Sequence, residues 1–271
     1  MNGRVLPALW MTALICACSL ATAHAQEAQH HKWTAQEVAE ALADPAATIT
    51  YFNVSYRSYQ DVGPADKTNQ EYRLNGAGFF NLPNAGAVFY RAYLPYYDSE
   101  FPVKDTGWGD LLLSAYWVPE KGTFILGYGG AVMAPTASED WYGTGKYSAG
   151  PTIIIAKKVP GKYTVGGLVT HIWSFAGDSE RDTVSLSTIQ PVATFFVGGH
   201  GTSISLASES TYNWKASTDP WQVPLTLGVG QVLPPIGKFF VGVALGGTYY
   251  VVKSDFAPEW DMRALVSIVL P

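Results

Sequence analysis

Residues Val223 to Val251 read VPLTLGVGQVLPPIGKFFVGVALGGTYYV, two arms around the turn Pro234-Pro235-Ile236-Gly237. In the first arm Val223, Leu225, Leu227, Val229 and Leu233 alternate with Pro224, Thr226, Gly228 and Gly230, and Gln231 is the one polar break in the apolar row. In the second, Phe239, Val241, Val243, Leu245, Tyr249 and Val251 alternate with Gly242, Ala244, Gly246 and Thr248. A side-chain period of two gives an extended strand one apolar face and one face of small or polar groups. Each arm is about ten residues or slightly longer, the span a tilted strand needs to cross a bilayer. Strands of soluble sandwiches are usually shorter, so the hairpin reads as one staple of a transmembrane barrel.

The chain begins with a segment outside that pattern. Arg4, the apolar run Val5 to Leu20 and the small-x-small sequence Ala23-His24-Ala25 form a secretory signal peptide over residues 1–25. Cleavage after Ala25 removes Cys16 and Cys18, the 2 cysteines of the chain, and leaves neither a disulfide nor a thiolate metal site. The alternative is lipoprotein processing at Cys18. The whole chain carries 17 basic and 22 acidic residues, and loss of Arg4 deepens that acidity, which argues against nucleic acid as a partner. Beyond the leader no apolar run is long enough for a transmembrane helix. Charged residues make up only 14% of the chain, against about 25% in ordinary soluble domains. An exported, charge-poor chain rich in Gly and Tyr points to the outer membrane of a Gram-negative cell.

Residues 26–47 read as a periplasmic N-terminal segment with a short helix. Thr34 and Glu37 have capping-box spacing, Ala35, Val38, Ala39 and Leu42 form an apolar stripe, and Pro45 stops it. Such a helix either tidies the barrel mouth or plugs the lumen. Residues 48–271 read as an all-β, up-and-down antiparallel barrel of about twelve strands. They lie at roughly 48–59, 71–82, 87–94, 108–118, 123–134, 148–157, 162–175, 183–197, 202–214, 221–233, 238–252 and 262–270. The links alternate. Gln60 to Gln70, Pro95 to Gly107, Pro135 to Tyr147, Ala176 to Asp182, Lys215 to Pro220 and Lys253 to Asp261 are longer and polar. Pro83 to Gly86, Pro119 to Gly122, Lys158 to Gly161, Gly198 to Gly201 and Pro234 to Gly237 are tight. Long external loops, short periplasmic turns and periplasmic termini produce this alternation. Twelve strands enclose a narrow bore.

Parity then assigns faces. Leu111, Leu113, Ala115 and Trp117 face lipid, as do Val88, Tyr90, Ala92 and Leu94, Ile204 and Leu206, and Ala264, Val266, Ile268 and Leu270. Arg91, Asp110, Glu209, Asn213 and Arg263 fall on the opposite face, where a charge avoids the cost of the bilayer midplane. They are the expected lumen-lining residues, either along a conducting path or as paired charges filling a closed interior. Tyr96, Tyr97, Trp108, Trp117, Trp173, Trp214, Trp221, Tyr249 and Tyr250 gather near strand ends, as interfacial girdles do. Gln190 shares its row with Val184 and Leu186 and is not placed by the pattern.

No catalytic constellation emerges. Gly143-Thr144-Gly145-Lys146 lacks the full phosphate-loop spacing and a following helix, and reads as a bend at the external rim. His171 and Ser174 are three apart in a strand and so face opposite sides. No cluster has metal-ligand spacing, and no cofactor is expected.

The run Trp173-Ser174-Phe175-Ala176-Gly177-Asp178, then Arg181, Val184, Gln190-Pro191, Glu209 to Trp214, Trp221 to Leu225, Pro258-Glu259-Trp260 and Arg263 to Pro271, carries a resemblance. In that order these residues resemble the outer-membrane family named for the meta-pathway of phenol degradation, whose members are often called transporters. Val38 to Pro45 is similar to the helix preceding the barrel there. The resemblance implies an outer-membrane β-barrel that moves small, hydrophobic or aromatic compounds. The ending Val269-Leu270-Pro271 departs from the aromatic that barrels often place at their close.

Three functions are in play: a channel or uptake barrel, with membrane lipids and a small solute as partners; a closed barrel with a structural or interaction role; and a soluble lipid-binding barrel.

Overall fold

In the computed structural model, antiparallel pairing runs around the wall and closes where the first strand meets the last. The structure describes residues 32–119 and 122–271. The signal peptide over 1–25 and the alternative processing at Cys18 lie outside the described residues. The strands are β1 (Thr50–Val62), β2 (Lys67–Asn81), β3 (Ala87–Ser99), β4 (Asp105–Trp108), β5 (Leu111–Val118), β6 (Phe124–Ala134), β7 (Lys146–Val159), β8 (Tyr163–Gly177), β9 (Ser185–Val197), β10 (Thr202–Ala207), β11 (Ser210–Asn213), β12 (Trp221–Val232), β13 (Phe240–Val252) and β14 (Trp260–Leu270). β1 pairs with β14 from Thr50 opposite Leu270 to Gln60 opposite Trp260. β4 and β5 both pair with β3, and β10 and β11 both lie between β9 and β12. Each couple forms one interrupted stave, so the barrel has the twelve staves that the sequence suggested.

Several strands run further outward than the sequence pattern showed. β2 begins at Lys67 and has 15 residues, more than the roughly 9–11 a tilted crossing needs. The added residues, Lys67 to Gln70, are all polar or charged and so lack the alternation that marks a half-buried strand.

The exterior is apolar. Leu245 is 70% exposed and Leu227 59%; in water such a belt would aggregate, whereas hydrocarbon accommodates it. Inward, the Thr226 and Thr248 hydroxyls bond each other at 3.0 Å. Aromatic pairs band the outside: Tyr96 with Trp108 at 5.0 Å, and Tyr212 with Trp214 and Trp221, each at 4.8 Å. Two residues grouped with this girdle belong elsewhere. Parity turns Tyr97 and Tyr250 inward, where both line the lumen.

Helix α1 (Ala35–Ala43) has its capping box: Glu37 N–H donates to Thr34 Oγ1 at 3.2 Å, and Thr34 N–H donates to Glu37 Oε2 at 2.8 Å. The helix lies inside the short-turn end of the bore. Gly201 N–H donates to Gln36 Oε1 at 3.1 Å, and Leu42 comes against Gly242 so closely that a Cβ there would sit 3.3 Å from Leu42 Cδ1. The chain after it continues the plug. Asp44 pairs with Lys158 at 2.5 Å, Tyr116 donates to the Pro45 carbonyl at 2.8 Å, and Ala46 packs with Phe89, Tyr116, Val118, Ile125 and Leu168. Of the two places open to this helix, it occupies the lumen.

Candidate functional site

Outward of the plug, the bore is crossed by a ring of charges on contiguous staves. β1 alternates Phe52, Val54 and Tyr56 toward lipid with Ser55, Arg57 and Tyr59 toward the lumen. Arg57 has Arg263 of β14 as its register partner on one side and Glu71 of β2 on the other. Next to Arg263 the inner row runs through Gly246 and Gly228, which leaves space for its side chain.

Glu209 reaches this ring from the far wall. It sits in the gap between β10 and β11, opposite Pro224, which has no N–H to donate to a ladder. Its Oε2 accepts from Arg57 Nη2 at 3.2 Å and Arg73 Nη1 at 3.3 Å, and its Oε1 from Gln190 Nε2 at 3.1 Å. Gln190 thus faces inward. Glu71 accepts from Arg73 Nε and from the Tyr59 hydroxyl. Arg73 also lies 4.3 Å from the centroid of Tyr93, a cation–π contact of about 0.5–2 kcal/mol. Asp261 is fully buried and takes Arg263 Nε and Nη2, each at 3.1 Å, and the Tyr250 hydroxyl at 3.1 Å. Each carboxylate is matched by several donors, the condition under which buried charge is tolerated.

Above the ring lies a cavity of about 540 Å³, lined by Arg57, Arg73, Arg263, Glu71 and Glu209 below and by rings above. Tyr97 stacks on Tyr142 at 5.2 Å and Phe101 on Phe256 at 6.2 Å, with Trp141 beside them. The volume falls within the roughly 300–1,000 Å³ of small-molecule sites.

Of the five residues read from the sequence as lumen-lining, Glu209 and Arg263 line this cavity. Arg91 stands nearer the plug, its register partner Ala77 lying between it and Tyr51. Asp110 is buried beneath the external loop 135–145, accepting from the Thr144 and Ala137 N–H groups at 2.7 and 3.2 Å and from the Thr144 hydroxyl at 2.9 Å. Asn213 is exposed at the end of β11, where its Oδ1 accepts from Lys215 N–H at 2.9 Å. Arg57, Glu71, Arg73 and Asp261 were missed; parity with Phe52 and Val54 could have exposed Arg57.

The Gly143-to-Lys146 run is a loop bend that leads directly into β7, and Arg181 Nη2 ties it down through the Asp140 and Gly143 carbonyls, both at 2.6 Å. His171 faces outward against Trp173 at 4.2 Å, and its Nδ1 bonds Ser187, at 2.7 Å, instead of Ser174.

A closed wall, an apolar exterior and a charged, plugged interior make this chain an outer-membrane β-barrel. Its fold is that of known outer-membrane channels and porins. An outer membrane channel from Pseudomonas putida F1 superposes with a TM-score of 0.63 at 17% identity, over 82% of this chain and 95% of that one. The NanC porin superposes with a TM-score of 0.54 at 7% identity, over 82% and 99%. An outer membrane phospholipase A from Escherichia coli, with a TM-score of 0.41 and 12% identity over 89% and 99%, is too loose a match to bear on chemistry. At these identities the likeness concerns the fold. No family model and no curated protein matches the chain.

Proposed function

We propose that this barrel is a channel or uptake route for small, hydrophobic or aromatic molecules. The observation that carries the reading is the cavity on the long-loop side, walled by Tyr97, Tyr142, Phe101 and Phe256 and floored by the arginine–carboxylate ring. A solute entering from outside meets rings first, then Glu209 and Arg263, then Arg91. Asp110 and Asn213 act on the external loops that shape the mouth. The resemblance to the phenol meta-pathway family supports an aromatic solute, and the shared fold of channels and porins is compatible with passage. Passage requires the segment from Ala35 to Ile49 to give way.

One observation favours a closed barrel with a structural role: Val38 is fully buried, and Ala46, Phe89 and Tyr116 pack tightly where a path would run. Reconstitution of the processed chain in planar bilayers and liposomes separates the two. A channel gives discrete conductance steps and flux of small solutes. Silence in both assays supports the closed barrel.

A further inference from the structure

We propose that the upper cavity binds a small aromatic carboxylate, its carboxyl group gripped by Arg57, Arg73 and Arg263 and its ring held by Tyr97 and Tyr142. The inference deepens the channel reading, on which it rests, by naming the chemistry of the solute.

Three guanidinium groups line the cavity against two carboxylates, Glu71 and Glu209; Asp261, the partner of Arg263, stands behind it, outside the lining. Glu71 has a side chain only 2% exposed and is spent on Arg73 and Tyr59. Glu209 differs. Its side chain is 35% exposed, and it reaches across the lumen so that Arg57 and Arg73 converge on a single oxygen, Oε2. Each arginine makes a charge-assisted bond of the kind a ligand carboxylate would also accept. Glu209 therefore occupies the position of an internal carboxylate ligand, about a third exposed to the lumen, for which a solute carboxylate can exchange. Arg263 lies beside Arg57 in register, and the inner glycines Gly246 and Gly228 keep the adjacent wall low. The Tyr97–Tyr142 stack, tilted by 16°, stands in the same cavity and offers flat faces to a ring.

The test uses the processed full-length chain folded in detergent, titrated with benzoate, benzyl alcohol and acetate by calorimetry. Benzoate is expected to bind saturably and at least tenfold more tightly than either of the others. Benzyl alcohol binding as well as benzoate would overturn the carboxylate grip, and acetate binding as well would overturn the aromatic part. Glu209→Gln removes the competing carboxylate and is expected to tighten benzoate severalfold, an outcome that a purely structural Glu209 would not give. Arg263→Gln is expected to weaken benzoate at least tenfold; an unchanged affinity in a folded variant overturns its role. If Arg263→Gln does not fold, the sign of the Glu209→Gln effect decides. Conductance without benzoate binding would sink this assignment and leave the channel standing. Saturable benzoate binding by a barrel that conducts nothing would keep the site and sink the channel.

Discussion

The two halves of this bore are filled by opposite means. At the short-turn end, Ala46, Phe89, Tyr116, Val118 and Ile125 make an apolar core that lies inside a barrel. At the long-loop end, Arg57, Arg73, Arg263, Glu71, Glu209 and Asp261 hold one another through a charged network below an open cavity. Apolar packing is non-directional and tolerates repacking, so the contacts of this half can be remade at modest cost. Paired charges fix geometry and leave an unpaired partner when one member is lost without a replacement, so this half is the less forgiving of substitution.

The charged ring is expected to be the more sensitive half. Arg73→Ala strands Glu71 and loosens Glu209, and is expected to cost about 3–5 kcal/mol in urea unfolding followed by heat-modifiable gel mobility. A loss near zero would mean that water already screens the ring. At the plug, Gly242→Leu drives a side chain into the place of Leu42. It is expected to cost about 1–3 kcal/mol and to raise single-channel conductance by displacing α1; unchanged conductance would argue that the plug does not gate the path. Tyr116→Phe removes the bond to the Pro45 carbonyl, with an expected loss of about 1 kcal/mol and faster proteolysis of residues 34–49. Smallest is Thr34→Ala at the exposed cap, about 0.5 kcal/mol, visible as increased amide exchange in the first turn of α1 and nowhere in the wall.

Much of the wall was legible. Strict alternation in β12, β13 and β14 reports a sheet with lipid on one side, and the long-short rhythm of the links fixes its up-and-down order. The strand ends at Lys67 and Ser99 were not legible, because Lys67 to Gln70 are all polar and Pro95 to Ser99 mix Pro, Tyr, Asp and Ser without alternation. Tyr97 and Tyr250 were grouped with the girdle because aromatic clustering near a strand end looks the same whichever way the ring points. The ring of charges was legible only in part. Arg263 and Glu209 stand out against apolar neighbours, whereas Glu71 and Arg73 sit in the largely polar stretch Thr68 to Asn75, where only Tyr72 and Leu74 mark the opposite face.

The amino-acid sequence by itself determined the staves and most of their faces, which depend on neighbours two residues apart, and their order, which the lengths of successive links set. Only the tertiary structure decided what fills the barrel. The inner row Gly228, Gly230, Gly242, Ala244 and Gly246 reads in sequence merely as small residues. In the closed barrel it is the hollow that receives Leu42 of α1 and the side chain of Arg263. That choice depends on groups more than a hundred residues apart meeting across a bore, as Arg57 and Glu209 do, and a local pattern carries no trace of such a meeting.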